Sequence, residues 1–251
     1  MNCATIEQRL NEDKNLNTGF YENLDKNFEE ALNLSMQDFS HEELIEFLKN
    51  GNIPQKQNSA LKIEELKSSD DAEILINNLT GCDGKIREAV ALKINQLVMS
   101  NNKYIGFFSQ AEIFADASID INANICRLVI DSVKFLIGKE EFFSKYSAKI
   151  LKFIDEAFVE LDNFIFRDKK YVINKQLFKL YWSLEALKLF VVKIPEEKVL
   201  AILRRAMQEK EYTIREKVAQ ILLLLPENDK ISAMKAELMV DENYYVRNVF
   251  N

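Results

Sequence analysis

The chain has 251 residues, of which 47% are hydrophobic and 10% aromatic, and this composition is typical of a folded protein rather than a disordered one. It contains only 6 glycines and 3 prolines, too few for the many tight turns of an all-β sandwich or barrel of this size. The net charge of −7 argues against a dedicated nucleic-acid-binding protein. We therefore expect an all-α fold.

The N-terminus and the cysteines restrict the location and the chemistry. No run of about 18 uncharged apolar residues occurs, and no apolar stretch follows a basic N-terminal head, so neither a spanning helix nor a secretory signal is predicted. Cys3, Cys82 and Cys126 lie far apart without a C-x-x-C pair, which argues against a disulfide framework and a zinc site. We expect a cytoplasmic protein without membrane contact or bound metal.

Charge is distributed unevenly along the chain. Residues 1–80 hold 16 acidic and 7 basic residues, a net charge of −9, whereas residues 139–193 hold 8 acidic and 11 basic residues, a net charge of +3. A basic middle segment suits an acidic partner. It also suits the acidic segment of a second copy, so self-association is a further expectation.

The first predicted elements are an N-terminal helical cap over residues 1–39 and a helical hairpin after it. Ser40 is followed three residues later by Glu43, which matches a capping box at the start of a helix. Gly51 is suited to end that helix and Pro54 to begin the next. Residues 40–251 are predicted to continue as a series of such helix pairs.

The remaining helix pairs follow from apolar periodicity and from glycine and proline at the connections. The predicted pairs are 70–80 with 84–99, 102–115 with 120–137, 139–160 with 170–193, 195–209 with 211–224, and 227–239 with 243–251. The last helix would carry Val246, Val249 and Phe250 on an apolar face. That face either packs on the preceding pair or docks a partner or another copy.

A short pattern recurs in the second helix of several pairs. A β-branched residue followed by arginine occurs at Arg87 in "KIREAVA", at Arg215 in "TIREKVA" and at Arg247 in "YVRNVF". With weaker copies near Ile125 and Ile173, the spacings between successive anchors are 39, 48, 41 and 32 residues. A period in this range with helical patterning predicts a stack of helix pairs.

An acidic residue six positions before the arginine completes the pattern. Asp241 precedes Arg247 and Glu209 precedes Arg215 at this distance. With these residues the sequence resembles the HEAT-repeat, or armadillo-like, superfamily of helical solenoids over about residues 40–251. The resemblance implies a right-handed α-α superhelix of about five helical hairpins.

The resemblance also implies that the acidic and arginine residues form a ladder between neighbouring repeats. The expected ladder residues are Arg87, Glu209, Arg215, Asp241 and Arg247. The pattern is incomplete in two repeats, because Gly81 stands six residues before Arg87 and Cys126 stands six residues after Asp120. A regular ladder is therefore not expected along the whole chain.

No catalytic motif is evident. His41, the single histidine, directly follows the N-cap Ser40, and we expect it to be exposed in the first turn of a helix. The sequence contains neither G-x-x-x-x-G-K-[ST] nor G-x-G-x-x-G. We therefore expect no cofactor and no enzymatic activity.

One segment leaves an alternative open. Residues 171–190 contain five aromatic residues, including the only tryptophan, Trp182, and basic residues are interleaved with them. Aromatics at helical spacing are typical of a core, but this mixture also suits a nucleic-acid strand. HEAT-like DNA glycosylases are the alternative, with Asp168 as the candidate carboxylate; the net charge of −7 argues against it.

The reading that these observations favour is a protein-interaction scaffold. The second helix of each pair would line an inner concave surface that contacts a protein or peptide partner, and the basic middle segment favours an acidic one. The residues expected to face the partner are Arg127, Lys134, Lys175 and Lys179, all on predicted second helices of the middle repeats. Nucleic acid is not the expected partner.

Overall fold

The fold is all-α, as predicted. A computed structural model describes residues 26–163 and 170–251, and these residues form helices and turns without a β-strand. Within these two ranges, no helix combines the length and the apolar character that a bilayer crossing requires.

The helices are labelled in chain order, and the described part of α1 covers residues 26–35. The next helices are α2 His41–Asn50, α3 Ile53–Lys62, α4 Ser69–Ile76, α5 Gly84–Ser100, α6 Ala111–Ala117, α7 Ala123–Leu136 and α8 Glu140–Asp162. They are followed by α9 Lys170–Leu187, α10 Glu196–Met207, α11 Tyr212–Leu222, α12 Asp229–Met239 and α13 Tyr244–Arg247. Three short 3₁₀ helices cover Asn102–Gly106, Val191–Lys193 and Asn248–Phe250.

The chain divides into two compact units, and the division falls inside α5. The first unit extends to Lys93 and the second begins at Ile94. The separate N-terminal cap over residues 1–39 stays a prediction, and residues 1–25 lie outside the described part.

Local sequence determines the α2–α3 hairpin of the first unit. The Ser40 hydroxyl accepts a hydrogen bond from the Glu43 amide, and the Glu43 carboxylate accepts one from the Ser40 amide. These two hydrogen bonds complete the predicted capping box. The Gly51 amide donates to the Phe47 carbonyl at 2.8 Å and ends α2. A Cβ at residue 51 would lie 2.5 Å from that carbonyl oxygen, so glycine allows the close turn.

The core of the first unit includes aliphatic side chains from α2, from α4 and from the segments that follow α3 and α4. Its fully or almost fully buried residues include Leu48, Ile63, Leu66, Leu75, Ile76 and Leu79. The Asn78 side chain donates to the Leu48 carbonyl at 2.9 Å and so connects the end of α4 to α2. Burial of these apolar side chains stabilises the unit.

In the second unit, helices pack as successive hairpins. The pairs are α6 with α7, α8 with α9, α10 with α11 and α12 with α13. The second helices contact one another in order, α7 with α9, α9 with α11 and α11 with α13. This succession confirms the predicted stack of helix pairs, which is a helical-repeat fold.

Aromatic side chains fill the centre of the second unit. Phe114 contacts Phe142 with ring centroids 5.5 Å apart, Phe142 stacks on Tyr146 at 5.9 Å, and Tyr146 meets Phe190 edge-on at 6.2 Å. The Tyr146 hydroxyl lies 2.8 Å from the Ser118 hydroxyl, and both residues are fully buried. Burial raises the pKa of the Tyr146 phenol although this hydrogen bond works to lower it.

The predicted helix over 102–115 is wrong in its extent. This stretch forms the 3₁₀ helix Asn102–Gly106 and the short helix α6, with Phe108 buried between them. The Lys139 ammonium donates to the Ile105 and Phe108 carbonyls of this stretch. A side chain more than thirty residues away in the sequence therefore supplies the hydrogen bonds that a continuous helix would have made.

Two other predicted helices are shorter than expected. The helix predicted over 170–193 ends at Leu187, and the chain turns there so that Phe190 can be fully buried. The last predicted helix, 243–251, has only α13 in α-helical form. Its Val246 is fully buried and α13 packs on α11 and α12, so this end of the described chain packs on the preceding pair.

Candidate binding groove

The three arginines of the recurrent pattern each donate a hydrogen bond to the backbone carbonyl six positions earlier. Arg87 Nη1 donates to the Gly81 carbonyl at 2.7 Å, and Arg215 Nη1 donates to the Glu209 carbonyl at 2.8 Å. Arg247 donates to the Asp241 carbonyl in the same way. The side chain therefore holds the turn inside its own hairpin.

Cys126 makes the equivalent contact in the repeat that lacks arginine. Its Sγ donates to the Asp120 carbonyl at 3.0 Å. Burial, with the charge of Asp120, raises the pKa of the thiol to about 12, so the thiol is protonated at neutral pH. A thiol thus replaces the guanidinium as the donor to the turn.

A second contact of Arg215 connects neighbouring hairpins. Its Nε and Nη2 atoms bond the two carboxylate oxygens of Asp241 at 2.7 and 3.0 Å, and both side chains are buried. The hydrogen bond from Arg215 lowers the pKa of the Asp241 carboxyl. The Glu209 carboxylate instead pairs with Arg205 at 2.8 Å.

The second helices α7, α9 and α11 together form a groove in the second unit. It consists of two adjoining parts of about 500 and 300 Å³. Both parts are lined by Arg127, Tyr181 and Trp182. The first part also involves Ala123, Leu177, Phe178, Glu211 and Thr213, and the second involves Ile130, Asp131, Glu185 and Lys217.

Aromatic rings of α9 form the floor of the groove. Trp182 is 7% exposed and meets Tyr181 and Phe178 edge-on, with ring centroids 5.3 and 6.1 Å away. Its Nε1 atom is buried and has no hydrogen-bond partner within the described chain. A buried donor without a partner is uncommon, because it loses its hydrogen bond to water without a replacement.

Ion pairs occupy one wall of the groove. Lys217 Nζ lies 2.6 Å from the Glu185 carboxylate and 4.6 Å from the centroid of the Tyr181 ring, and Lys188 lies 3.1 Å from Glu185. Burial works to raise the pKa of the Glu185 carboxyl, but Lys217 and then Lys188 outweigh it, and the pKa is lowered. The Glu185 carboxylate of this wall is therefore shared by two ammonium groups, Lys217 and Lys188.

The four predicted partner-facing residues have different surroundings. Arg127 is exposed and lines both parts of the groove, and its Nη1 donates to the Asn124 side chain at 3.2 Å. Lys134 and Lys175 are exposed, and Lys134 pairs with its helix neighbour Asp131. Their contact with a partner stays a prediction.

Lys179 differs from the other three because it is engaged inside its own hairpin. Its Nζ lies 2.6 Å from the Glu156 carboxylate of α8 and 4.7 Å from the centroid of the Phe153 ring. It is therefore placed to connect α8 and α9.

Sequence reasoning assigned the aromatic residues of α9 to the core and missed Glu185 and Lys217 as groove residues. Each groove helix contributes residues four positions apart, such as Tyr181 with Glu185 and Thr213 with Lys217. Residues at this spacing share a helix face. This spacing could have grouped the groove residues on one face of each helix. It does not indicate which helix face stays uncovered by neighbouring helices.

The remaining candidate groups lie elsewhere. His41 is half-buried rather than exposed as predicted, because its Nε2 lies 2.9 Å from the Asp71 carboxylate in the first unit. Asp168, the carboxylate of the glycosylase alternative, lies outside the described residues. In the described ranges, no three His, Cys, Asp or Glu side chains cluster in a way that could hold a metal ion.

The fold and the groove define a helical-repeat protein. No known family profile and no curated protein matches the chain. Among solved structures it is similar to an engineered protein, Northeast Structural Genomics Consortium target OR329, with 12% identity and a TM-score of 0.46 over 83% of this chain and 92% of that one. It is also similar to the designed armadillo repeat protein YIII(Dq)4CqI, with 10% identity and a TM-score of 0.43 over 82% and 94% of the respective chains.

Proposed function

We propose that the chain is a protein-interaction scaffold that binds a protein or peptide partner along the groove of α7, α9 and α11. The observation that supports this is the groove itself, where three successive second helices combine aromatic side chains and charges. Protein interfaces typically have a polar rim, and aromatic residues near their centre often dominate the binding energy. The chain would then act by display and binding rather than by catalysis.

The charges around the groove favour a partner with an acidic residue near Arg127. The neighbouring acids Asp131 and Glu185 already pair with lysines of this chain. The Arg127 guanidinium donates to the neutral amide of Asn124 and has no ion pair with a described carboxylate. A partner carboxylate would supply the charge-assisted hydrogen bond that Arg127 lacks.

The test is capture of the partner with a charge reversal inside the groove and a matched one outside it. Tagged wild type, Arg127→Glu and Arg204→Glu are incubated with native lysate, with and without nuclease, and bound proteins are quantified by mass spectrometry. Arg204 is the control because it is an exposed arginine on α10, outside the groove of α7, α9 and α11.

We expect wild type and Arg204→Glu to retain the same nuclease-resistant partner, and Arg127→Glu to retain about tenfold less of it. Equal retention by all three variants would show that the partner binds elsewhere. Loss of all bound material with nuclease would contradict the scaffold proposal and favour a nucleic-acid ligand.

The single tryptophan supplies a second, direct measurement. Trp182 is the only tryptophan of the chain and lies in the groove, so its fluorescence reports on this site alone. Titration with the recovered partner should change the Trp182 emission in parallel with binding. Tight binding without any change in emission would place the contact outside the groove.

A further inference from the structure

Lys93 belongs to a cavity in the first unit that is separate from the groove. The cavity measures about 780 Å³, within the range of about 300 to 1,000 Å³ that is usual for small-molecule sites. Its apolar lining comes from Phe39, Leu44 and Leu61. The charged and titratable groups around it are Asp38, His41, Lys62, Glu64, Glu65, Lys67 and Lys93.

Lys93 differs from the other basic residues of this cavity because its amine is free. The others each have a partner: Lys62 the Gln37 carbonyl, Lys67 the Glu42 carboxylate and His41 the Asp71 carboxylate. Lys93 is half-buried on α5, and within the described ranges its Nζ makes neither a hydrogen bond nor an ion pair. Within the described part of the chain, no neighbouring group therefore holds this amine.

Lys139 is a second half-buried lysine, and it differs from Lys93 in having hydrogen-bond acceptors for its ammonium group. Burial lowers the pKa of both Lys93 and Lys139. The Lys139 ammonium donates to the Ile105 and Phe108 carbonyls, so its protons and its position are fixed. At Lys93 only the charge of Glu64 opposes burial. A desolvated lysine without such partners is the form of lysine that acts as a nucleophile.

We propose that Lys93 is a modification site, where the amine accepts an acyl group from a small acyl thioester that enters the cavity. The neutral Nζ attacks the thioester carbonyl carbon and forms the C–N bond. The C–S bond breaks, the thiolate leaves with the electron pair, and the nitrogen loses one proton to solvent or to the thiolate. The product is an amide and a free thiol, and no oxidant or reductant is needed.

The cavity favours the product as well as the attack. The amide is uncharged, so acylation removes a positive charge whose hydration is already reduced by burial. The apolar side chains of Phe39, Leu44 and Leu61 line the same cavity and can contact the added acyl group. Acylation would therefore be tolerated by the folded first unit.

The test measures the acylation rate of every lysine in the intact, folded chain. The probe is the acetyl thioester of N-acetylcysteamine, and modified peptides are quantified by mass spectrometry at early times. The comparison residues are Lys85, which is exposed on the same helix, and Lys139, which is half-buried but hydrogen-bonded. No substitution is needed, so the test does not depend on the folding of a variant.

We expect Lys93 to react about threefold or more faster than Lys85, and Lys139 to react more slowly than both. The Lys93 rate should stay above the Lys85 rate between about pH 7 and 9, because burial lowers the pKa of Lys93 and so leaves more of its amine neutral.

Two outcomes would overturn the proposal. One is a Lys93 rate equal to or below that of Lys85 in the folded chain. The other is a Lys93 advantage that persists in concentrated urea, because it would then arise from the local sequence and not from the cavity. Loss of the advantage in urea supports the proposal. Neither result bears on the groove proposal, which concerns a different part of the chain.

Discussion

The Arg215–Asp241 contact and the Trp182 groove both lie in the second unit, and they differ in how well their polar groups are hydrogen-bonded. Arg215 donates to two backbone carbonyls and to both oxygens of Asp241. Trp182 has a buried Nε1 without a partner within the described ranges. Because satisfied groups stabilise a fold and unsatisfied ones reduce its stability, the first site serves structure, and the second is the site at which we propose that a partner binds.

The largest effect on stability is expected when the Arg215–Asp241 contact is removed. Asp241→Ala should lower the free energy of unfolding by about 3 kcal/mol, because it leaves the buried Arg215 guanidinium without its main anion. Urea denaturation would measure the loss. The matched control is Asp131→Ala, which removes an exposed ion pair with Lys134 and should change stability by less than about 1 kcal/mol. Equal losses in the two variants would contradict the structural role of the Asp241 contact.

The same contact predicts a dependence of stability on pH. The pKa of Asp241 is lowered in the folded chain, chiefly by its hydrogen bond to Arg215. Its contribution is therefore fully present above the unfolded value of about 3.9 and is lost as the pH falls through the lower folded value. The difference in unfolding free energy between wild type and Asp241→Asn should be constant near neutrality and should shrink below about pH 4. A difference that does not change with pH would show that charge is not involved.

A smaller effect, with opposite signs at two sites, is expected for two fully buried serines of the second unit. Ser118 bonds the Tyr146 hydroxyl and the Phe114 carbonyl, both at 2.8 Å, whereas Ser183 Oγ is buried without a partner among the residues that the structure describes. Ser118→Ala should cost about 2 kcal/mol, because it leaves the Tyr146 hydroxyl unpaired. Ser183→Ala should leave stability unchanged or raise it by up to about 1 kcal/mol.

Thermal and urea unfolding of the two serine variants would measure these changes. Each substitution removes one oxygen atom at a site with no solvent exposure, so each variant controls for the loss of volume in the other. A destabilising Ser183→Ala substitution would show that this hydroxyl has a partner in solution, and it would weaken the same reasoning for Trp182.

Helix starts and the repeat could be predicted from the sequence because they depend on short-range interactions. The Ser40–Glu43 capping box involves residues three positions apart, and the arginine contacts span six positions. The choice of acceptor could not be predicted. The pattern places an acid six residues before Arg215, but the atom that Arg215 bonds there is the Glu209 carbonyl, and the carboxylate it pairs with belongs to Asp241 in the next hairpin.

The break in the helix predicted over 102–115 depended on distant residues. The carbonyls of Ile105 and Phe108 are satisfied by Lys139, which no local pattern connects to them. The groove could not be predicted either, because it too depends on residues that are distant in the sequence. Aromatic spacing predicts that Trp182 is buried, and it is, but whether its Nε1 finds a partner depends on the packing of neighbouring helices.

The smallest effect is expected at the two half-buried lysines, and it extends the comparison of satisfied and unsatisfied donors to charged groups. Lys139→Met should lower the free energy of unfolding by about 1 to 2 kcal/mol, because the Ile105 and Phe108 carbonyls lose their donor. Lys93→Met removes a charge that burial disfavours and breaks no described hydrogen bond, so stability should be unchanged or higher. Lys85→Met, at an exposed position of the same helix as Lys93, controls for the apolar substitution itself.

Urea denaturation of the three variants at neutral pH would measure these changes in stability. If Lys93→Met were as destabilising as Lys139→Met, the Lys93 amine would have an acceptor in solution, and both its freedom and its expected reactivity would be contradicted together.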